Sequence, residues 1–489
     1  MVLSKLLEDL EYTLLQGSCE TEITTLACDS REAKEGSVFV CISGTVRDAH
    51  DFIPQVTESG AKAVIVEREV KADERVTVIR VPDTRYALAL MSAAYFGHPA
   101  KKLTTIGVTG TKGKTTTVYM IRSILEAAGI RTGLIGTIET IIGETHIPSE
   151  NTTPESYQLQ KIFADMAEAG MKAVVMEVSS QGLMMNRVAG FTFDYGIFTN
   201  LEPDHIGENE HKDFADYMHA KSLLFRQCAQ GIFNADSEHL SGILNGHTCK
   251  VETYGLSKQA DLRAAEPTLF YEDGVPGVKY QVSGLLDMDV TVNAPGRFTV
   301  YNSLAAIALC RHFQVSREQM KHALLHTFVK GRIELIPVSK EYTLMIDYAH
   351  NAMALESLLT TLREYKPGRL ICLFGCGGNR AKSRRYEMGE VSSRLADLTV
   401  VTSDNPRFEE PMDIIADILT GVKKSDGAYV TIPDRKEAIA YCIDHALARD
   451  VIVLAGKGHE DYQEIKGVKH HMDERELIAD IVREREMKS

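Results

Sequence analysis

Thr105-Ile106-Gly107-Val108-Thr109-Gly110-Thr111-Lys112-Gly113-Lys114-Thr115-Thr116-Thr117 is the stretch on which the reading of this chain turns. A run of strand length meets a glycine turn, and the amphipathic segment Thr116 to Ala128 follows, so strand, turn and helix are predicted in that order. Glycines let backbone N–H groups approach phosphate oxygens, and a helix N-terminus adds partial positive charge. Lys114 is placed to reach the β- and γ-phosphates and the Thr115 hydroxyl to hold Mg²⁺. A nucleotide site is expected. Val108 stands where the common G-x-x-x-x-G-K-[ST] pattern has its first glycine, and the loop alone leaves kinase, GTPase and ligase open. A glycine turn that binds nothing is the plain alternative, and the flanking strand and helix argue against it.

Working outward, Ala173-Val174-Val175-Met176 and Asp194-Tyr195-Gly196-Ile197-Phe198 are further apolar runs without alternation, the pattern of a parallel sheet covered on both faces. Upstream, Ser37-Val38-Phe39-Val40-Cys41-Ile42 and Lys62-Ala63-Val64-Ile65-Val66 belong to a smaller α/β unit, closed by the aperiodic Gly97-His98-Pro99-Ala100-Lys101-Lys102. Downstream of Lys330-Gly331-Arg332, strands are predicted at 342–346, 370–374, 398–401 and 451–454, with helices between them. One of those helices opens at Asp434 with Glu437 three residues on, a capping-box spacing. The expected fold is α/β with three domains: a small mixed α/β domain over residues 1–101, a central parallel-sheet ATPase domain over 102–331, and a doubly wound, Rossmann-like domain over 332–489.

A formal net charge of −14 over 489 residues excludes a general nucleic-acid binder, since phosphate backbones are held by clustered Lys and Arg. The short basic run Arg380-Ala381-Lys382-Ser383-Arg384-Arg385 reads either as a local anion site or as a solvated face. Met1 to Gly17 mixes acidic with apolar residues, so no export signal is expected, and no window holds the roughly 20 apolar residues of a membrane helix. Nine scattered cysteines fit reduced thiols in a cytoplasmic protein, and no second Cys or His pair at ligand spacing supports a zinc site.

A nucleotide-bound metal needs hard ligands, and Glu177 ends a buried strand at the edge where parallel sheets bind their ligands. Asp204 and His205 follow the next strand and qualify on the same ground; each is otherwise a plain loop residue. Lys221, in the helical stretch 217–225, reads by composition as a surface lysine.

Gly110 to Thr117 resembles the phosphate loop of Mur ligases and folylpolyglutamate synthetases, which lack that first glycine. Asp29-Ser30-Arg31, with Gly36-Ser37-Val38-Phe39-Val40 and Gly44, is similar to the UDP-binding domain of the MurE branch, which adds the third residue of the peptidoglycan stem peptide. Asn151-Thr152-Thr153-Pro154, Glu177-Val178-Ser179-Ser180, Thr199-Asn200-Leu201 with Asp204-His205, Asp347-Tyr348-Ala349-His350 and Gly456-Lys457-Gly458-His459-Glu460 follow in family order, so the resemblance covers nearly the whole chain.

The resemblance implies an ATP-dependent ligase. ATP would phosphorylate the terminal carboxylate of UDP-N-acetylmuramoyl-L-Ala-D-Glu, an amine would attack the acyl phosphate, and a tetrahedral intermediate would expel phosphate. By position, Gly110 to Thr116 would cradle the phosphates with Lys114 on the γ-phosphate, Thr115 and Glu177 would hold one Mg²⁺, and His205 a second. Lys221 aligns with a lysine that is carbamylated in that branch and helps to place the second ion. Asn302, Arg332 and Asp347 align with nucleotide contacts, and Ser30, Asn151, Thr152, Thr153, Ser179 and Arg187 with contacts to the UDP-muramoyl-dipeptide. Asp404-Asn405-Pro406-Arg407 resembles the diaminopimelate signature, in which Arg pairs with a second carboxylate that lysine lacks. Arg385, Gly456 and Glu460 would complete that pocket. The partners implied are small molecules, with neither nucleic acid nor membrane, for a chain expected to be a monomer whose domains close around substrate.

Some positions depart from the branch. Gln181 replaces a frequent His, Met185 stands where a Gln usually contacts substrate, and Asn351-Ala352-Met353 replaces T-P-D or N-P-D. The region Leu201-Glu202-Pro203-Asp204-His205-Ile206-Gly207-Glu208-Asn209-Glu210-His211 also lacks the usual D-Y-H-G continuation. Either an ordinary enzyme of a divergent lineage or a paralogue acting on another carboxylate fits. An L-lysine-adding enzyme would leave Arg407 facing an amine. A folate or cyanophycin-type ligase would lack the Asp29-Ser30-Arg31 domain, and a regulatory nucleotide-binding protein would have lost Lys114, Glu177 or Lys221, all of which are present.

Overall fold

Short runs of Val, Ile and Phe without polar alternation suit a sheet whose two faces are both covered, and the molecule uses them that way. Ala63–Val66, Ala173–Glu177, Leu370–Phe374 and Val451–Ala455 are each buried along their whole length. The computed structural model describes residues 1–44, 47–207 and 210–487, so Glu208 and Asn209 of the departing loop lie outside the described residues. Two units are distinguished, Met1–Leu262 with Ala305–Ser316 and Arg263–Leu304 with Arg317–Ser489.

In the first unit, β1 (Thr13–Gln16), β2 (Thr25–Ala27), β3 (Ser37–Val40), β4 (Ala63–Val66) and β5 (Thr77–Arg80) form a sheet in the order β1-β5-β4-β3-β2. Only the β1–β5 pair is antiparallel, which makes the sheet mixed. The helix Thr84–Tyr95 starts where the Asp83 side chain accepts from the Arg85 and Tyr86 N–H groups, and it lays Ala87, Leu88 and Met91 on Val38, Ile65 and Ile79.

The same unit continues with β6 (Thr104–Thr109), β7 (Thr132–Ile135), β8 (Glu139–Ile142), β9 (Thr145–Pro148), β10 (Ala173–Glu177), β11 (Phe193–Phe198), β12 (Cys228–Asn234) and β13 (Lys250–Gly255). They lie in the order β13-β12-β11-β6-β10-β7-β8-β9, parallel from β13 to β7, with β8 and β9 added as an antiparallel hairpin. Because β10 and β11 flank β6 and all three run the same way, the turns that leave them open on one carboxyl edge, where such sheets bind ligands.

The second unit holds β14 (Leu262–Glu272), β15 (Val275–Gly284) and β16 (Met288–Val292), followed by β17 (Glu334–Ile336), β18 (Thr343–Asp347), β19 (Leu370–Phe374), β20 (Leu398–Val401), β21 (Ala428–Thr431) and β22 (Val451–Ala455). The last six form a sheet in the order β17-β18-β22-β19-β20-β21, antiparallel only at β17. Alternate residues of β19 serve its two faces. Cys372 and Phe374 pack with Leu355, Met388 and Ile418 from helices on one side, and Ile371 and Leu373 with Ile439 and Ile478 on the other. The sheet is doubly wound, as expected. A small hairpin, β23 (Tyr462–Ile465) with β24 (Val468–His471), follows the β22 turn.

Candidate functional site

The chain leaving β6 must turn in little space. Gly110 has φ +147, and a Cβ there would meet Thr199 Oγ1 at 1.9 Å; Gly113, at φ +85, enters the helix Lys114–Ala127. The loop is braced from the end of β11. Thr111 N–H donates to Asn200 O (2.9 Å), Lys112 N–H to Asn200 Oδ1 (2.9 Å), Asn200 Nδ2 to Lys112 O (3.0 Å) and Thr199 Oγ1 to Lys112 O (2.8 Å). Lys114 Nζ donates to Gly110 O (2.8 Å) and Thr111 O (3.0 Å), which holds its ammonium over the loop. Thr116 takes the next place in that helix.

Glu177 ends β10 only 1% exposed, and a carboxylate so buried needs donors. It has three: Thr115 Oγ1 (3.1 Å), Thr137 N (2.8 Å) and Thr137 Oγ1 (3.1 Å). Thr115 and Glu177 therefore meet, a pair of hard oxygens of the kind Mg²⁺ takes. Beside them, Thr152 Oγ1 lies 3.1 Å from Thr137 Oγ1, and Thr153 Oγ1 donates to Glu177 O (3.0 Å) and accepts from Ser179 N (2.9 Å). Arg187 Nη1 donates to Thr153 O (3.0 Å) while its guanidinium pairs with Glu155 (2.7 Å). Thr152, Thr153, Ser179 and Arg187 thus form one cluster against the metal-type pair. Asn151 is exposed at its margin, and Ser30 is half-buried on the turn after β2. Gln181 and Met185, both departures from the branch, lie on and just after the short helix Ser180–Met184 that Ser179 caps.

Lys221 is not a surface lysine. It is 1% exposed in the helix Phe214–Ser222, 4.6 Å from the Tyr217 ring, and its Nζ donates to Gly110 O at 2.9 Å, the carbonyl that Lys114 also uses. Burial, and then the charge of Lys114, push its pKa well below the ordinary lysine value, with Asp204 opposing. His205 is half exposed at φ 54, with Nδ1 3.1 Å from Glu210 Oε1. His211, which sequence reasoning did not single out as a site residue, is buried. Its Nε2 lies 2.8 Å from Ser180 Oγ and its Nδ1 3.2 Å from Asp216 Oδ2, and its N–H donates to His205 O at 3.0 Å.

In the second unit, Asp347 ends β18 and accepts from Ile333 N and Ala349 N, both at 2.8 Å. Burial raises its pKa and Arg332 opposes the rise. The Arg332 guanidinium lies 4.5 Å over the Tyr348 ring, and the His459 ring is tilted against the same ring with centres 4.9 Å apart. Burial, with Arg332, Lys330 and Arg475 adding, pushes the His459 pKa down to about 4. Asn302 is buried in the helix Arg297–Cys310.

The turns after β19, β20 and β22 bring the remaining candidates to one carboxyl edge. Arg407, at φ 52, donates from Nε to Glu464 Oε2 (3.0 Å) and from Nη1 to Gly378 O (2.7 Å). Asn405 Nδ2 donates to Glu460 Oε2 (3.0 Å), and the Asp404 carboxylate passes within 3.3 Å of where a Cβ on Gly456 would sit. Arg385 is buried beneath them with its guanidinium committed to Glu409 (2.7 and 2.8 Å) and Asp417 (2.9 Å). The side-chain bonds from Arg385, with the Asn379 N–H, hold the Glu409 carboxyl down at about 2 against an ordinary 4.5. A carboxylate with a depressed folded pKa contributes stability above its unfolded pKa and loses it as pH falls through the folded one. Glu409→Gln is therefore expected to lower Tm at pH 7, with the gap to the parent protein closing between about pH 4.5 and 2 in calorimetry. A gap independent of pH would refute the ion-pair account.

Family models match three stretches: the Mur ligase family catalytic domain over residues 22–96, the Mur ligase middle domain over 108–310, and the Mur ligase glutamate ligase domain over 331–458. The UDP-N-acetylmuramoyl-L-alanyl-D-glutamate–2,6-diaminopimelate ligase of Clostridium perfringens is 41% identical over 489 residues, 99% of each chain. A solved structure of a UDP-N-acetylmuramoyl-L-alanyl-D-glutamate–2,6-diaminopimelate ligase superposes with a TM-score of 0.74 at 27% identity, covering 99% of both chains. The MurF ligase from Thermotoga maritima in complex with ADP has a TM-score of 0.58 at 18% identity, over 96% of this chain and 99% of that one.

Proposed function

The chain belongs to the Mur ligase family of ATP-dependent, ADP-forming ligases, and from that premise we propose that it adds meso-diaminopimelate to UDP-N-acetylmuramoyl-L-Ala-D-Glu in peptidoglycan synthesis. The observation that carries this assignment is the joining of the Gly110–Thr115 loop, Glu177, Lys221 and the Thr152-Thr153-Ser179-Arg187 cluster by hydrogen bonds at one sheet edge. In the proposed arrangement residues 1–101 hold the UDP-sugar, 102–331 the nucleotide and 332–489 the amine, in a cytoplasmic monomer.

The N–H groups of the first turn of the helix Lys114–Ala127 face the phosphates of ATP, and Lys114 exchanges its loop carbonyls for a γ-phosphate oxygen. Mg²⁺, for which Thr115, Glu177, His205 and a carbamylated Lys221 supply ligands, would neutralise phosphate charge and polarise the transferred group. Lys221 is suited to carbamylation because the neutral amine is the form that adds CO₂, losing a proton as the N–C bond forms, and its surroundings disfavour the ammonium. The product places a negative charge beside the Lys114 ammonium at Gly110 O. Thr152, Thr153, Ser179 and Arg187 orient the dipeptide carboxylate for phosphorylation, and Asn302, Arg332 and Asp347 hold the nucleotide. Arg407, fixed through Glu464 and Gly378 O, keeps Nη2 for the distal carboxylate of the amine, and Glu460 accepts from its ammonium.

The test is phosphate release with ATP, Mg²⁺ and UDP-N-acetylmuramoyl-L-Ala-D-Glu. Diaminopimelate is expected to exceed L-lysine by about 10²-fold or more in kcat/KM, the scale of a charged pair left unmade. Turnover with lysine alone would sink the Arg407 assignment. Silence with both amines would favour the second reading, a different carboxylate substrate, for which Gln181 and Met185 beside the dipeptide cluster are the specific grounds.

A further inference from the structure

Lys457 has no exposed surface, and an ammonium taken out of water costs several kcal/mol unless acceptors surround it. Nζ donates to Asn405 Oδ1 (3.0 Å), to Glu460 Oε2 (3.0 Å) and to Tyr462 O, with Asp404 Oδ1 3.6 Å away and the Tyr462 ring centre at 5.0 Å. Its three N–H bonds thus go to three segments: the turn after β20, the turn after β22, and β23. Those acceptors are also tied to one another. Asn405 Nδ2 donates to Glu460 Oε2 (3.0 Å), Glu464 N to Asn405 Oδ1 (2.9 Å) and Gln463 Nε2 to Asp404 O (2.7 Å).

The consequence falls on the two carboxylates of the cluster. Glu460 Oε2 receives both Lys457 and Asn405, while Oε1 has no protein donor among the described residues. Asp404 Oδ1 is buried without a hydrogen bond. Two carboxylates around one ammonium leave a single negative charge, the complement of one substrate ammonium.

We propose that Lys457 is a positioning residue for amine selection. It fixes Glu460 and Asn405 from beneath and sets the charge of the pocket, so that one ammonium is accepted beside Arg407, without itself touching substrate. The proposal rests on the assignment of Asp404, Asn405, Arg407 and Glu460 to the amine pocket.

Steady-state kinetics of the full-length enzyme separate this role from a merely structural one. Lys457→Met is expected to raise KM for diaminopimelate about 30-fold or more, because it leaves two close carboxylates uncompensated, with KM for ATP unchanged within about twofold. Adding Asp404→Asn restores the single negative charge and is expected to recover about tenfold of that KM, a rescue that no loss of packing would show. Lys457→Gln keeps two N–H donors without the charge and gives the same split and the same rescue if the methionine variant does not fold. An unchanged amine KM, a parallel rise in the KM for ATP, or no recovery with Asp404→Asn would each overturn the proposal. If the parent enzyme uses lysine and not diaminopimelate, the amine assignment falls, and the same split measured with lysine decides the role of Lys457.

Discussion

Lys114→Met is expected to lower kcat for phosphate release by about 10³-fold, the scale of removing one preorganised group from developing charge. Methionine keeps the length and the apolar stem, so the loss falls on the ammonium. Folding should survive, because Thr111 and Lys112 are held by Thr199 and Asn200 and not by Lys114 alone. KM for the amine should stay within about twofold, since the binding energy lost is realised in the transition state. A decrease below tenfold at saturating ATP would show that Lys114 does not serve the transferred phosphoryl group.

Lys221→Met should separate activity from stability. The native site holds a buried amine beside a second lysine, both directed at Gly110 O, and replacing such a group by an apolar one of similar volume is neutral or stabilising. Activity should move the other way, with kcat down by about 10²-fold or more and the Mg²⁺ saturation curve shifted to higher concentration. Lys221→Glu, which returns a carboxylate, should regain part of both. The pH dependence of stability gives an independent check. The folded pKa of Lys221 lies well below 10.5, so between that lowered value and 10.5 the unfolded chain binds more protons and stability rises with pH. Lys221→Met should remove that contribution to the slope. Full activity in Lys221→Met would sink the carbamate assignment outright.

The parts that were legible in the sequence were contiguous. Strand, glycine turn and helix follow one another from Thr105 to Ala128, and the runs at 370–374 and 398–401 became strands with those bounds. Glu177 was visible because it ends an apolar run. The meander β14–β16 was not, because β14 is mostly half-buried, β15 interleaves buried with exposed positions, and a search for continuous apolar runs passes over both. Side chains that act across the fold were also hidden. His211 meets Ser180 from 31 residues away, Asn405 meets Lys457 from 52, and Arg407 meets Glu464 from 57, separations at which no local pattern survives. The resemblance supplied Arg385 as a pocket residue without its pairing to Glu409 and Asp417, which only the packed turns disclose. Composition misplaced Lys221 at the surface, because burial of a lysine is decided by the space around Gly110 and not by its neighbours in the helix.

The brace between Asn200 and the phosphate loop alters when an entropic cost is met. Fixing a residue's backbone costs about 1–2 kcal/mol, and for Thr111 and Lys112 that cost is carried by folding through bonds to the end of β11. A nucleotide arriving at a loop already braced there spends little of its affinity on ordering those two residues.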